Sequence, residues 1–357
     1  MIKVINAYLG RGEFSITVPP LDGAFRPNQL LEDAEILVTL EEPDCLAVMN
    51  GMPVVSSRFA VMKIGEKEEV IARFDADISC IAGLPDGGLA VGLVDGRISL
   101  VAGRNHGKVI KPQKGTACPT AMLADSDNSL FVTHGSSSNR PDEWRRDLME
   151  LNSSGSVWRI DLSTGRQTKI CDGLSFPYGI YYDSNGLVIA ESWRSRLVRI
   201  SPDGSNPPQT ILGNLPGYPA RLAPAEENGA WLSIFAPRSQ LIEFVLREKK
   251  FRRAMINEIE PDYWVAPALR SGRTFYEPLQ AGGVKQLGIL KPWAPTRSYG
   301  MIVRLDDNFQ PVASFHSRAD GTRHGITSCL EQNGRLLMAV KGDDMVASYP
   351  ISRLEKR

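Results

Sequence analysis

Five polar residues stand just inside apolar runs of this chain. They are Asp44 in PDCLAVM, Thr120 in PTAMLAD, Tyr178 in PYGIYYD, Arg221 in PARLAP and Thr327 in ITSCLEQ. The first three directly follow a proline. Two histidines lie near such runs, His134 after SLFVT and His324 before GIT, and Trp193 follows LVIAES. A histidine changes charge near neutral pH and can act as general acid or base. A carboxylate such as Asp44 can orient that histidine or take its proton. Arg221 and Tyr178 can donate hydrogen bonds to an oxyanion formed from a carbonyl. No short catalytic motif ties these residues together. There is no G-x-S-x-G elbow, no phosphate-binding glycine loop and no Cys/His zinc spacing. VGLVDGRI and SPDGSN read as turns. Any site must therefore be assembled from distant strands.

The elements that would position them repeat. Comparable phrases begin at Pro43, Ile78, Pro119, Pro177, Pro219 and Gly325. Each runs from an apolar strand through a turn of Asn, Asp or Gly to a second apolar strand. A short polar loop and a third strand follow. The turn residues tolerate positive φ, and the alternation around them predicts hairpins. A repeat of roughly 40 residues with several strands predicts blades of a propeller. One all-β domain of six blades over residues 1–357 is expected, with a short insertion in blade three and a longer one in blade five, near 249–297. In the fifth unit the run continues through SQLIEFV as its third strand, and YGMIVRLDDNFQPVASFH resumes the blade after the insertion. Short helices are expected over 140–151 and near 251–259. Strands within 2–18 would complete the last blade and close the ring, leaving no open sheet edge.

Bulk properties set limits. Lys plus Arg and Asp plus Glu both total 41 in 357 residues, a neutral balance that argues against nucleic acid or an anionic membrane as partner. The start, MIKVINAYLGRGEF, lacks the apolar core of a signal peptide, and no run reaches the ~18 apolar residues of a membrane span. Five widely spaced cysteines argue against a disulfide framework. A cytoplasmic location is the expectation. His106 and His316 read as exposed loop residues, Glu191 as a hydrogen-bonder within a blade, and REKKFRR at 247–253 as a solvated face.

The phrases GSVWRIDLSTGRQTKICDGLSFPYGI, LVIAES with RLVRI, LPGYP and RHGITSCLEQNGRLLMAV carry a resemblance. Over roughly residues 40–350 the chain resembles the strictosidine-synthase-like proteins, which group with the senescence-marker-protein/gluconolactonase superfamily of six-bladed propellers. The resemblance implies a small-molecule enzyme with its site on the propeller axis. Hydrolases of this group hold calcium there through one oxygen-bearing side chain from each of several inner strands. The matching positions are Asp44, Thr120, Tyr178 and Ala220, with Arg221 next to the last. Alanine offers no ligand, neutral tyrosine is a poor one, and Arg221 would oppose the ion's charge. A degenerate calcium site, with no metal ligand and no cofactor, is therefore expected. Strictosidine synthase itself uses a glutamate in the last blade, where Thr327 stands here, so its condensation is not implied.

The reading that results is hydrolysis of an ester or lactone-like carbonyl compound. His324 would activate water, Asp44 would support it or pair with Arg221 across the channel, and Arg221 and Tyr178 would hold the oxyanion. Thr120, His134, Thr327 and Trp193 would contact the substrate. Two alternatives stand beside it. One is a metal-free lyase, isomerase or condensing enzyme. The other is a non-catalytic propeller that binds a small molecule or a protein, with the two insertions as its recognition surface.

Overall fold

The computed structural model describes residues 18–65, 69–125, 128–271, 274, 276–278, 285–286, 289–290 and 297–353. It contains six four-stranded antiparallel sheets, the six blades of a propeller. Blade one comprises Pro43–Met49, Met52–Ser57, Ala60–Lys63 and Glu69–Arg73. The innermost strands of the other blades are Ile78–Gly83, Pro119–Asp125, Pro177–Asp183, Gly217–Pro224 and Ile326–Gln332. Each packs against the next, and the last packs against the first, so the ring is closed. The expected strand starts thus fall at or within two residues of the observed ones.

The hairpins form as their turns dictate. Asn50-Gly51 and Asn333-Gly334 both adopt paired positive φ, at 50° and 75° and at 54° and 69°. That is the backbone twist a two-residue hairpin needs, and few pairs other than Asn-Gly adopt it cheaply. Apolar residues of facing blades interdigitate between sheets. Between blades one, two and three, for example, Val54, Cys80, Leu89, Val91, Leu130 and Val132 share one core. All five cysteines are free, and only Cys171 is not fully buried.

Two details differ from the sequence reading. The ring is closed by Glu35–Thr39, which pairs with Met345–Pro350 of blade six. The strands expected at 2–18 lie almost wholly outside the described residues. In blade five, residues 240–247 are helical, not the third strand. Ser239 caps that helix by accepting from the Ile242 amide, and Ile242, Val245 and Leu246 form its buried stripe. The third and fourth strands of the blade are Met301–Leu305 and Pro311–His316. The expected helices are present as α1 (Trp144–Glu150), in the blade-three insertion, and α3 (Lys249–Glu258), which follows α2 (Gln240–Arg247). The excursion from blade five therefore begins at 238, earlier than 249.

Candidate functional site

Every innermost strand carries one extra residue opposite its neighbour at the hub. The register slips between Pro43 and Leu46, Ile78 and Cys80, Pro119 and Ala121, Pro177 and Gly179, Pro219 and Leu222, and Ile326 and Ser328. Such bulges re-aim side chains and free carbonyls from the ladder. Blade five uses its bulge to send Arg221 into the hub. Its two terminal nitrogens donate to Asp44 Oδ1 at 2.5 Å, Ser79 O at 2.6 Å, Thr120 O at 3.0 Å, Asp44 O at 3.2 Å and Thr327 O at 3.4 Å. The guanidinium carbon lies 4.8 Å from the Tyr178 ring centre, within cation–π range. One side chain from blade five thus touches all five other blades. Only its Nε lacks a partner among the described residues.

Asp44 is buried and doubly held. Oδ1 accepts from Arg221, and Oδ2 accepts from Lys341 Nζ at 2.7 Å. Burial alone would raise its pKa, but the charges of Lys341 and Arg221 and their hydrogen bonds outweigh it, bringing it down to about 2. Burial works against the Lys341 ammonium too, yet Asp44 more than compensates and its pKa is raised. Lys341 follows the second strand of blade six, and its side chain is 22% exposed, toward a cavity above the hub. That cavity measures about 650 Å³. Asp44, Ser79, Thr120, Tyr178 and Lys341 form its hub end. Trp144 and Arg145 of the blade-three insertion and Tyr263, Leu269 and Arg297 of the blade-five excursion form its walls. Burial, with Asp44 nearby, pushes the Tyr178 phenol up to about 12. Among the described residues its hydroxyl has no hydrogen-bond partner.

The side chains expected to make the site divide. Asp44, Arg221, Tyr178 and Thr120 meet at the hub, where the Thr120 hydroxyl donates to Pro177 O at 2.5 Å. Thr327 is also there but does not line the cavity; it is fully buried and donates to Asp44 O at 2.7 Å. His324 is elsewhere. Its Nε2 lies 2.7 Å from Arg318 O of its own loop and its Nδ1 2.8 Å from Ser298 Oγ, ahead of the third strand of blade five, so both nitrogens are spent away from the hub. His134 is buried with neither ring nitrogen partnered among the described residues, and burial lowers its pKa to about 3. Trp193 stacks on Phe176 with centroids 4.6 Å apart and donates to Asp147 at 2.8 Å, anchoring α1 to blade four. None of these three lines the cavity. His316, read as exposed, is buried between Ser314 and Tyr299. Glu191 is a blade hydrogen-bonder as read: it accepts from the Ser175 amide and pairs with Arg196. Lys341 escaped the sequence reading. Its one signal is position, since VKGDD occupies the turn after a second strand that ESWRS occupies in blade four.

These residues do not fit a hard dication. The converging oxygens are mostly backbone carbonyls, Asp44 is the one carboxylate at the hub among the described residues, and a guanidinium already fills the space between them. A calcium ion would have to displace a cation that is covalently tethered.

Comparison with known proteins follows the geometry. No family model matches the chain. The adipocyte plasma membrane-associated protein of Danio rerio is 24% identical over 326 residues, 78% of each chain. Strictosidine synthase-like 13 of Arabidopsis thaliana is 29% identical over 142 residues, 35% of each. Among solved structures, regucalcin of Agrobacterium tumefaciens superimposes with a TM-score of 0.54 at 10% identity, covering 88% of this chain and 92% of that one. A gluconolactonase of Xanthomonas campestris gives 0.54 at 13% identity, covering 94% and 95%. The molecule is a six-bladed propeller of the kind those structures share. The names of its sequence relatives and of these structural neighbours agree with the resemblance to the strictosidine-synthase-like and gluconolactonase superfamily. Among the described residues no helix is long and apolar enough to cross a membrane.

Proposed function

We propose that the cavity binds a small carbonyl compound, an ester or a lactone, and hydrolyses it without calcium. One observation carries the reading: two hydrogen-bond donors, Lys341 and Tyr178, line one cavity directly over an ion pair that fixes them. Lys341 spends one N–H on Asp44 and keeps two. A substrate carbonyl oxygen would accept from Lys341 Nζ and Tyr178 Oη, whose interactions strengthen as that oxygen becomes negative. Asp44, at about 2, is too weak a base to take a proton from water, so it holds Lys341 in place. Attack then falls to solvent water or hydroxide entering the cavity. That limits the substrate to activated carbonyls, such as strained lactones or esters of acidic alcohols. Relatives and structural neighbours named for gluconolactonase and strictosidine synthase support a lactonase-type role.

The test is acid release from a panel of lactones and aryl esters by chelator-treated protein. Lys341→Met and Tyr178→Phe should each lower kcat/KM by about 100-fold. No turnover of any substrate in the panel, or turnover indifferent to both substitutions, sinks the reading. A second reading has its own support. Among the described residues no histidine lines the cavity, and the carboxylate at its hub end is a weak base. A binding propeller without turnover would show saturable quenching of Trp144 by the same compounds and no product.

A further inference from the structure

The blade-five excursion presents a surface that the cavity does not use. Six aromatic side chains are exposed among the described residues, and four of them lie here: Phe244, Phe251, Tyr263 and Tyr276. Leu241 and Ile259 of the same excursion are exposed too. Leu241 and Phe244 are three residues apart on α2 and share its outer face, opposite the stripe that packs inward. Phe251 stands out from α3, which buries Arg252 and Met255. Around Phe251 runs REKKFRR, residues 247–253. It holds five cations, of which Arg252 is buried, and one acid, a net of 5 − 1 = +4 on a chain whose net charge is +0; the exposed acids Glu258, Glu260 and Asp262 follow at the far end of α3, around Ile259 and Tyr263. Arg247, Lys249, Lys250 and Arg253 are exposed, and among the described residues none is in an ion pair. Elsewhere exposed arginines such as Arg58, Arg140 and Arg318 have carboxylate partners.

Single exposed apolar residues need no explanation, but grouped aromatics beside unpaired cations do. Rings of this kind enter the boundary between headgroups and acyl chains, while lysine and arginine meet anionic headgroups. We propose that the outer face of α2 and α3 docks peripherally on an anionic phospholipid bilayer. Charge complementarity selects this occupant. The balance over the whole chain, which argues against a membrane, averages the patch away. Tyr263 belongs both to the exposed group and to the cavity wall, so docking would set the cavity mouth beside the lipid surface. The inference does not depend on turnover.

Co-sedimentation of the full chain with vesicles tests it, using phosphatidylcholine alone or with phosphatidylserine added, at low and high salt. Binding should require phosphatidylserine and weaken with salt. Lys249→Glu with Lys250→Glu should lower partitioning by at least roughly thirtyfold, about five- to sixfold for each lysine charge removed from the surface. Phe244→Ser with Phe251→Ser should lower it at both salt concentrations. All four side chains are exposed, so thermal midpoints should match the parent. Absence of phosphatidylserine-dependent binding at low salt overturns the proposal. So does binding that survives either pair of substitutions unchanged, which would place the lipid contact on another face.

Discussion

Arg221→Met removes a charge from the centre of the ring while keeping most of the side-chain stem. The guanidinium makes five hydrogen bonds, to Asp44 twice and to the carbonyls of Ser79, Thr120 and Thr327. After substitution three blades lose their common donor, and Asp44 keeps only Lys341. Summing about 1–3 kcal/mol for each orphaned acceptor would overshoot, because the hub relaxes and water enters. Breaking one buried ion pair typically costs about 3–5 kcal/mol, and we expect a loss of about 4 kcal/mol. Urea unfolding followed by tryptophan fluorescence reads this as a lowered midpoint at unchanged slope. Arg221→Met combined with Asp44→Asn should cost less than the two single losses added, since the second change removes the charge the first one strands. Millimolar calcium should leave the parent midpoint unmoved. A loss under about 1 kcal/mol, or a parent protein stabilised by calcium, would refute the reasoning that a tethered cation holds this hub.

Tyr178→Phe should leave stability within about 0.5 kcal/mol while lowering turnover, because the hydroxyl has no partner to lose; equilibrium unfolding and kinetics on one sample check both. Stability should fall on acidification from about pH 6.5, the ordinary imidazole value. Burial holds His134 at about 3 and His316 at about 4, so the unfolded chain takes up protons the folded one refuses, and the loss grows until those values are passed. His134→Leu should flatten that slope in a pH series of urea midpoints, and at pH 7 it should cost little, since the ring has no hydrogen bond to lose. The Asp44 contribution behaves separately. Its folded value of about 2 lies below the ordinary 3.8, so it is fully present above about pH 4 and lost as pH falls through 2; Asp44→Asn should remove this lowest step. Asp147→Ala should free α1, because the carboxylate ties Asn139, Asn152 and Trp193 together; faster proteolysis within residues 135–154 would show it.

The sequence by itself determined the blades. Their signals are local: alternation along each strand, and Asn-Gly turns whose positive φ costs little, so six units could be placed without any long-range contact. It also placed Asp44, Thr120, Tyr178 and Arg221 near the starts of innermost strands, because each lies at or just after the head of an apolar run. What tertiary structure alone decided is where charge and histidine end up. Arg221 reads as a neighbour of the hub; only the bulge in its strand and closure of the ring bring four other blades' oxygens within its reach. His324 and His134 look alike as candidates, yet one spends its nitrogens on Arg318 and Ser298 and the other is buried with neither nitrogen partnered among the described residues. Lys341 carries no signature, because its role comes from a carboxylate 297 residues away. Strand pairing is written in neighbours along the chain, whereas a site on an axis is written in the distances between strands that only closure sets.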